Sequence, residues 1–402
     1  MTNKQWFQLH TWAGVFLGAL LLFVCFTGTI ASVSHEIEYL IDEKFRALTP
    51  RTKVDFQQLE TELSKAYPNS YLQRIQIRPE RYLSGEAQIV TNNLLSFIYF
   101  DPNTGKILGK GNWGRLTRFL RDIHRKLSMG NAGKFLITTL SLLLLITLVS
   151  SFFIYKDWWR HFFKQPNKLK LSTRATWSSW HKIIGLWSWW FIATVSITSF
   201  WYFIDQTLQT AGIEYYPQKP QIQSSEVNAK PASLTKILIN AQAAFKSLEI
   251  SYIRYPNNTK KPIEIRGFNH DFLVVDRANR VYLHPVTAEV LKVQPAAELS
   301  AYSRLTDTVD LIHFGSFFGL TSKIIWFIFG LLMSFMIASG IYMAWLKAKR
   351  KQPSVIKWQG ISGILTIIIC IVGVVLTTIN VALPKNESVP FSPQLSTILT
   401  YK

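Results

Sequence analysis

Residues 10–33 read HTWAGVFLGALLLFVCFTGTIASV, and residues 181–204 read HKIIGLWSWWFIATVSITSFWYFI. Each stretch opens on histidine and carries glycine four residues later, at Gly14 and Gly185. From Trp12 and from Ile183 onward neither contains a charged residue. A helix rises about 1.5 Å per residue, so runs of this length cross a hydrocarbon layer of roughly 30 Å. Three more uncharged runs, 135–155, 324–346 and 358–384, are as long. The expected fold is therefore an α-helical membrane bundle with five transmembrane helices. The first run follows a basic residue, Lys4, as the apolar part of a signal peptide does. Its recurrence at 183 favours a retained span.

The net charge of +20 does not point to nucleic acid, because the excess sits in two short links. Residues 157–182 hold Arg160, Lys164, Lys168, Lys170, Arg174 and Lys182 against Asp157 alone. Residues 347–357 hold Lys347, Lys349, Arg350, Lys351 and Lys357 with no acid. The two long segments between spans are close to charge balance. Short Lys/Arg-rich links stay on the cytoplasmic side. The expected topology has the N-terminus in the cytoplasm and both large segments and the C-terminus outside. Trp158, Trp159, Trp177, Trp180 and Trp345 flank the cytoplasmic ends, as interface aromatics do. Cys25 and Cys370 lie inside apolar runs and read as filler, not as a disulfide or metal pair.

The opening match belongs to a longer duplication. Asp122-Ile123-His124 precedes the second span as Leu311-Ile312-His313 precedes the fourth. The stretch 100–108, FDPNTGKIL, matches 283–291, LHPVTAEVL. The offsets are 171, 183 and 189 residues, which drift as loops lengthen. Each copy reads span, external α+β module, span. Within the modules, 56–67 and 234–245 have helical apolar spacing. Residues 72–77, 87–90, 96–100, 262–266, 272–276 and 281–283 alternate as strands. The chain then divides into spans at 1–34, 133–156, 183–205, 321–346 and 358–383. External modules occupy 35–132 and 206–320, basic links 157–182 and 347–357, and a tail 384–402.

Four of the eight histidines fall at repeat-matched positions: His10 with His181 at the cytoplasmic end, and His124 with His313 at the outer end. Two copies in one orientation imply a pseudo-two-fold axis along the membrane normal. Residues related by that axis can face each other, giving one bis-histidine site near each membrane face. Haem iron takes axial histidines, and bundles build such sites from inward side chains. Gly14 and Gly28, four and eighteen residues after His10, thin one helix face for a flat group; Gly185 and Ser199 do the same after His181. Zinc has no cysteine or carboxylate here to complete a tetrahedral set. A lone interfacial histidine is more often an anchor, and only the matched set of four lifts the ligand reading above that. His35 shares the His10 face at the outer end but matches Gln206 in the second copy. It is either a competing outer ligand or a polar contact. His161, His270 and His284 read as surface residues.

His10-x-Trp-x-Gly, Thr27-Gly28, His35-Glu36-Ile37-Glu38, Asp101-Pro-x-Thr-Gly, Asp122-Ile-His124-Arg125-Lys126-Leu127 and His313-Phe-Gly ahead of Gly330 and Ser339-Gly340 form an ordered set. It resembles the PepSY-associated transmembrane helix family over roughly residues 4–350. The resemblance implies two PepSY-like extracytoplasmic modules and a bacterial inner-membrane location. It further implies two b-type haems, held by His10 with His181 and by His124 with His313. The activity implied is a haem-dependent ferric-siderophore reductase working in iron uptake. His284 and Ala288, where the first copy has Asp101 and Gly105, depart from the pattern, as does the fifth span.

On that reading the partners are the lipid bilayer, a ferric siderophore and a quinol or separate reductase as electron donor; no nucleotide-binding glycine loop is present. Arg115, Arg118, Arg121 and Arg125 would meet the chelate, unless they are only a solvated face. The rival reading is a non-enzymatic membrane protein whose modules bind or regulate a periplasmic protein or peptide. The absence of acidic residues inside the five runs argues against ion-coupled transport.

Overall fold

The computed structural model describes residues 1–163, 174–222, 229–350 and 356–398. Lys164, Lys168 and Lys170 of the first basic link, Lys351 of the second and residues 399–402 of the tail lie outside the described residues. The helices are α1 (Asn3–Phe16), α2 (Gly18–Ser32), α3 (Ser34–Ile41), α4 (Phe56–Ala66), α5 (Leu116–Lys126), α6 (Gly130–Ile154), α7 (Arg174–Thr210), α8 (Leu234–Ala244), α9 (Ala301–Phe314), α10 (Gly319–Arg350), α11 (Ile356–Ala382) and α12 (Leu395–Ile398). The strands are β1 (Tyr71–Gln76), β2 (Gly85–Thr91), β3 (Leu94–Phe100), β4 (Ile107–Gly111), β5 (Glu249–Arg254), β6 (Ile263–Phe268), β7 (Asn279–Leu283) and β8 (Val290–Gln294). The chain divides into two compact units.

The first unit gathers Met1–Ser34, Leu116–Ile213 and Ile312–Asn380. Four of its helices, α6, α7, α10 and α11, are long and apolar enough to cross a membrane, and α1 with α2 makes a fifth if the bent pair is one span. The first run is thus not the single straight helix expected. Leu17 leaves helical geometry (φ −117°, ψ 30°), and the two halves meet at 66°. The core is built from Leu20, Leu21 and Val24 of α2, Leu140, Leu143 and Leu144 of α6, Phe191 and Ile192 of α7, and Trp326 and Met333 of α10. A Cβ added at Gly330 would sit 2.4 Å from the Thr29 hydroxyl. Backbones this close exploit small residues, as membrane helices do where dispersion replaces the hydrophobic effect. Along α11, Ile364, Ile368, Ile371 and Val375 stay exposed, as suits a surface solvated by lipid.

The sequence placed 116–132 and 312–320 in the external modules. The structure groups both with the first unit. The reason is amphipathy: α5 buries Leu120 and Ile123, and Ile123 joins the same core as Val24 and Leu140. Between α5 and α6 the chain turns sharply, with Leu127, Ser128 and Gly130 all at positive φ.

The second unit gathers His35–Arg115, Glu214–Leu311 and Val381–Lys402. Its eight strands form one antiparallel sheet in the order β4-β3-β2-β1-β5-β6-β7-β8. Each copy supplies a four-strand meander, and β1 pairs with β5 through Arg74↔Arg254, Ile75↔Ile253 and Gln76↔Tyr252. The two expected modules therefore share one sheet. Its core joins Leu59 and Leu63 of α4 and Ile237 and Ala241 of α8 to Ile75, Ile89, Ile98, Ile253 and Ile265 of the strands. The expected strand at 272–276 is a correction: His270 and Leu273 take positive φ and Phe272 is 81% exposed. A left-handed residue interrupts a ladder, so the alternation there belongs to a loop.

The tail closes this unit. Leu95 donates its N–H to the Lys385 carbonyl and Leu395 donates to the Ser70 carbonyl, while the Leu395 side chain is fully buried in the sheet core. Leu395→Ala should cost about 2–5 kcal/mol, the range for a buried leucine. Pulse proteolysis across a temperature ramp should then cleave the sheet unit several degrees earlier.

Candidate functional site

The two histidine pairs lie in the first unit. His10 on α1 and His181 on α7 have ring centroids 6.4 Å apart with perpendicular planes. His124 on α5 and His313 on α9 have centroids 6.2 Å apart with planes 32° apart. Each pair unites one histidine from each copy. A metal–imidazole nitrogen bond is roughly 2.0 Å and the ring centroid lies about 1.1 Å farther back, so a metal atom held between two imidazoles would set their centroids about 6.2 Å apart. The centroid spacings of both pairs are close to that distance.

Hydrogen bonding engages Nδ1 in each of the four rings. His10 Nδ1 lies 3.0 Å from the Thr147 carbonyl, and His124 Nδ1 lies 2.9 Å from the Val24 carbonyl. A carbonyl only accepts, so Nδ1 must carry the proton in both. His181 Nδ1 lies 2.8 Å from Ser339 Oγ, and that hydroxyl donates to the Met336 carbonyl. His313 Nδ1 lies 3.0 Å from Thr198 Oγ1, which donates to the Thr194 carbonyl. In all four imidazoles Nδ1 thus has a hydrogen-bond partner, and in His10 and His124, where that partner is a carbonyl, Nδ1 carries the proton. Metal-ligating histidines are oriented in just this way by their second nitrogen.

Sequence reasoning missed these orienting groups, although the duplication marks two of them. Ser150, 3.1 Å from His10 Nδ1, and Ser339, beside His181 Nδ1, stand 189 residues apart. That is the offset of His124 and His313. Gly28 also acquires a different role. A Cβ there would sit 2.5 Å from His124 Cε1, so Gly28 makes room for the outer imidazole and does not thin the face below His10. The bend at Leu17 breaks the rotation that linked the two positions.

The His10–His181 pair borders a cavity of about 390 Å³, lined also by Gly14, Gly185 and Gly340 and by Leu144, Leu186 and Met333. A volume of this size is in the range of small-molecule sites. Among the described residues no group of three or more His, Cys, Asp or Glu side chains is placed to hold a metal ion. A metal held by either pair would need its remaining ligands from a cofactor, as a porphyrin supplies.

The second unit holds His35, whose Nδ1 lies 3.7 Å from Glu38. Arg115 binds Glu38 through Nε at 3.1 Å and Glu86 at 2.6 Å, with all three side chains buried. Burial, with Arg78 and Arg115 nearby, holds the His35 imidazole well below its ordinary range, so the ring is neutral beside this network. Arg115, expected to meet a chelate, is committed to two carboxylates. Arg121 and Arg125 are exposed, with the Arg121 guanidinium 5.9 Å from the Phe314 ring centroid. His284 accepts from the Val286 and Thr287 N–H groups through Nδ1, taking the place of the turn aspartate Asp101, which binds Thr104 likewise.

A family model described as the PepSY-associated TM region matches residues 7–348. No curated protein matches the chain.

Proposed function

The chain belongs to the PepSY-associated TM family, and on that footing we propose that this multi-pass membrane protein is an inner-membrane electron conduit that reduces ferric siderophore on the periplasmic side. The observation that carries the proposal is the pairing of four oriented imidazoles into two sites, each with ring centroids spaced so that one metal atom would fit between them. Two b-type haems so bound would supply reversible one-electron chemistry between a quinol or separate reductase and Fe(III). The protein's own work is to hold and orient. Thr147, Ser150 and Ser339 set the inner rings, and Val24 and Thr198 the outer ones.

The two sites stand at different depths. On α7, His181 and Thr198 are seventeen residues apart, or about 25 Å along the axis, most of a hydrocarbon core of roughly 30 Å. The basic links at the His10 and His181 end support a cytoplasmic inner site. The tail's place in the same unit as the sheet supports a C-terminus on the side of the modules.

Ser339→Ala removes the hydroxyl partner of His181 Nδ1. Loss of such a partner weakens metal binding about 10–100-fold, so the inner haem should be released at least tenfold faster, and Ser339→Thr should restore most of its retention. The activity itself is testable in proteoliposomes with reductant inside and ferrioxamine with ferrozine outside. Ferrous–ferrozine should accumulate with the wild-type chain and not with His124→Ala. Equal rates for the two would refute the proposed function.

A further inference from the structure

We propose that Arg174, Lys182 and Lys347 form a cationic rim that binds the two carboxylates of the inner cofactor; this rests on the haem reading above. Arg174, Ser178, His181 and Gly185 all line the inner cavity. Their spacing of four, three and four residues makes one stripe of α7. On α10, Met336, Gly340, Ala344 and Lys347 line it likewise, and a Cβ on Gly340 would lie 3.5 Å from His181 Cε1. Arg174 and Lys347 each stand seven residues, about 10 Å, beyond that level in the cytoplasmic direction assigned above.

The cavity is apolar where it borders the core and basic at this end. Among the described residues that line it, none is Asp or Glu. Arg174 Nε is buried and finds no hydrogen-bond partner among the described residues. A buried donor of this kind is costly to leave unpaired. The Lys182 ammonium is 5.9 Å from the Tyr155 ring centroid and the Lys347 ammonium 5.8 Å from that of Phe7. Three cations at one mouth call for an occupant with an apolar body and anionic groups at one edge. Iron protoporphyrin, with its two propionates, has that form, and guanidinium is suited to paired carboxylate contact. The headgroup phosphate of a phospholipid is the other source of anionic oxygen at this depth.

The test uses the full-length His124→Ala protein in detergent, which keeps the inner haem alone. Haem transfer to excess apomyoglobin is followed by the Soret shift, with and without Arg174→Gln and Lys347→Gln together. Release should accelerate at least tenfold, and Arg174→Lys alone should stay near the parental rate. Iron protoporphyrin dimethyl ester, which lacks the charges, should bind the parent at least tenfold more weakly than the free acid. That gap should close in the double variant. Parental release from the double variant with equal binding of ester and acid would overturn the rim. So would loss of co-purified phospholipid phosphorus from the variant at unchanged haem release, which would assign the cations to a lipid. A wild-type chain that carries no haem would instead refute the haem reading itself.

Discussion

His10→Ala is expected to leave a folded protein with one haem, and His10→Ala with His124→Ala a folded protein with none. On the proposed reading each pair would share one metal between two helices, so either partner's loss should empty its own site. His181→Ala should therefore match His10→Ala, and His313→Ala should match His124→Ala. The alanine side chain cannot replace the ligand, and among the described residues no third His, Cys, Asp or Glu stands ready at either pair. Haem content per chain, measured by pyridine haemochrome, should fall from two to one in each single variant. Reduced α-band spectra of the two classes should sum to the wild-type spectrum. If all four variants kept two haems, the imidazoles would be structural anchors. Two haems retained in His124→Ala alone would instead move the outer ligand to another residue, His35 being the one the sequence nominates.

Gly28→Val is expected to remove the outer haem while the inner one stays. The His124 ring lies along α2, its Nδ1 donating to the Val24 carbonyl at 2.9 Å. A Cβ at Gly28 would fall 2.5 Å from Cε1 and 2.8 Å from Nδ1 of that ring, inside van der Waals contact. The ring packs against α2, so relief means a changed rotamer, and the imidazole then no longer sits opposite His313. Gly363→Ala is the control: its Cβ would meet nothing within 4 Å, and it lies away from both histidine pairs. That protein should keep both haems. Gel filtration should place both variants at the wild-type volume, since the change is confined to one side chain's seat.

The parts of this architecture that were legible in the sequence are those written in local periodicity and in the duplication. The uncharged runs announce the spans because backbone polar groups in lipid must be satisfied within the helix. The offsets of 171 and 189 residues single out the histidines that the structure then brings together in pairs. The same offset of 189 would have found Ser150 and Ser339, had hydroxyls been aligned as well as imidazoles. What periodicity could not give was geometry across a break. A rotation of 100° per residue places Gly28 under His10 only if the helix is continuous, and Leu17 interrupts it.

Long-range pairing was equally silent. β1 and β5 are joined by Ile75↔Ile253, and nothing local in either strand says that the two copies share an edge. β4 contains Gly109 and Gly111 and reads as a loop until β3 is beside it. Nothing periodic marks the tail in the sequence, since its one helix, α12, has only four residues. Its importance comes from Leu395 entering a core formed more than three hundred residues earlier by Leu59 and Leu63. The 272–276 stretch shows the converse error, since alternation of apolar residues is necessary for a half-buried strand and does not by itself make one.

The most direct measurement is the haem content of the purified full-length chain. Protein produced in haem-sufficient cells and isolated in mild detergent should give a Soret band, a sharp α-band on dithionite reduction, and two b-type haems per chain by pyridine haemochrome. A monodisperse, colourless protein from the same cells would contradict the account.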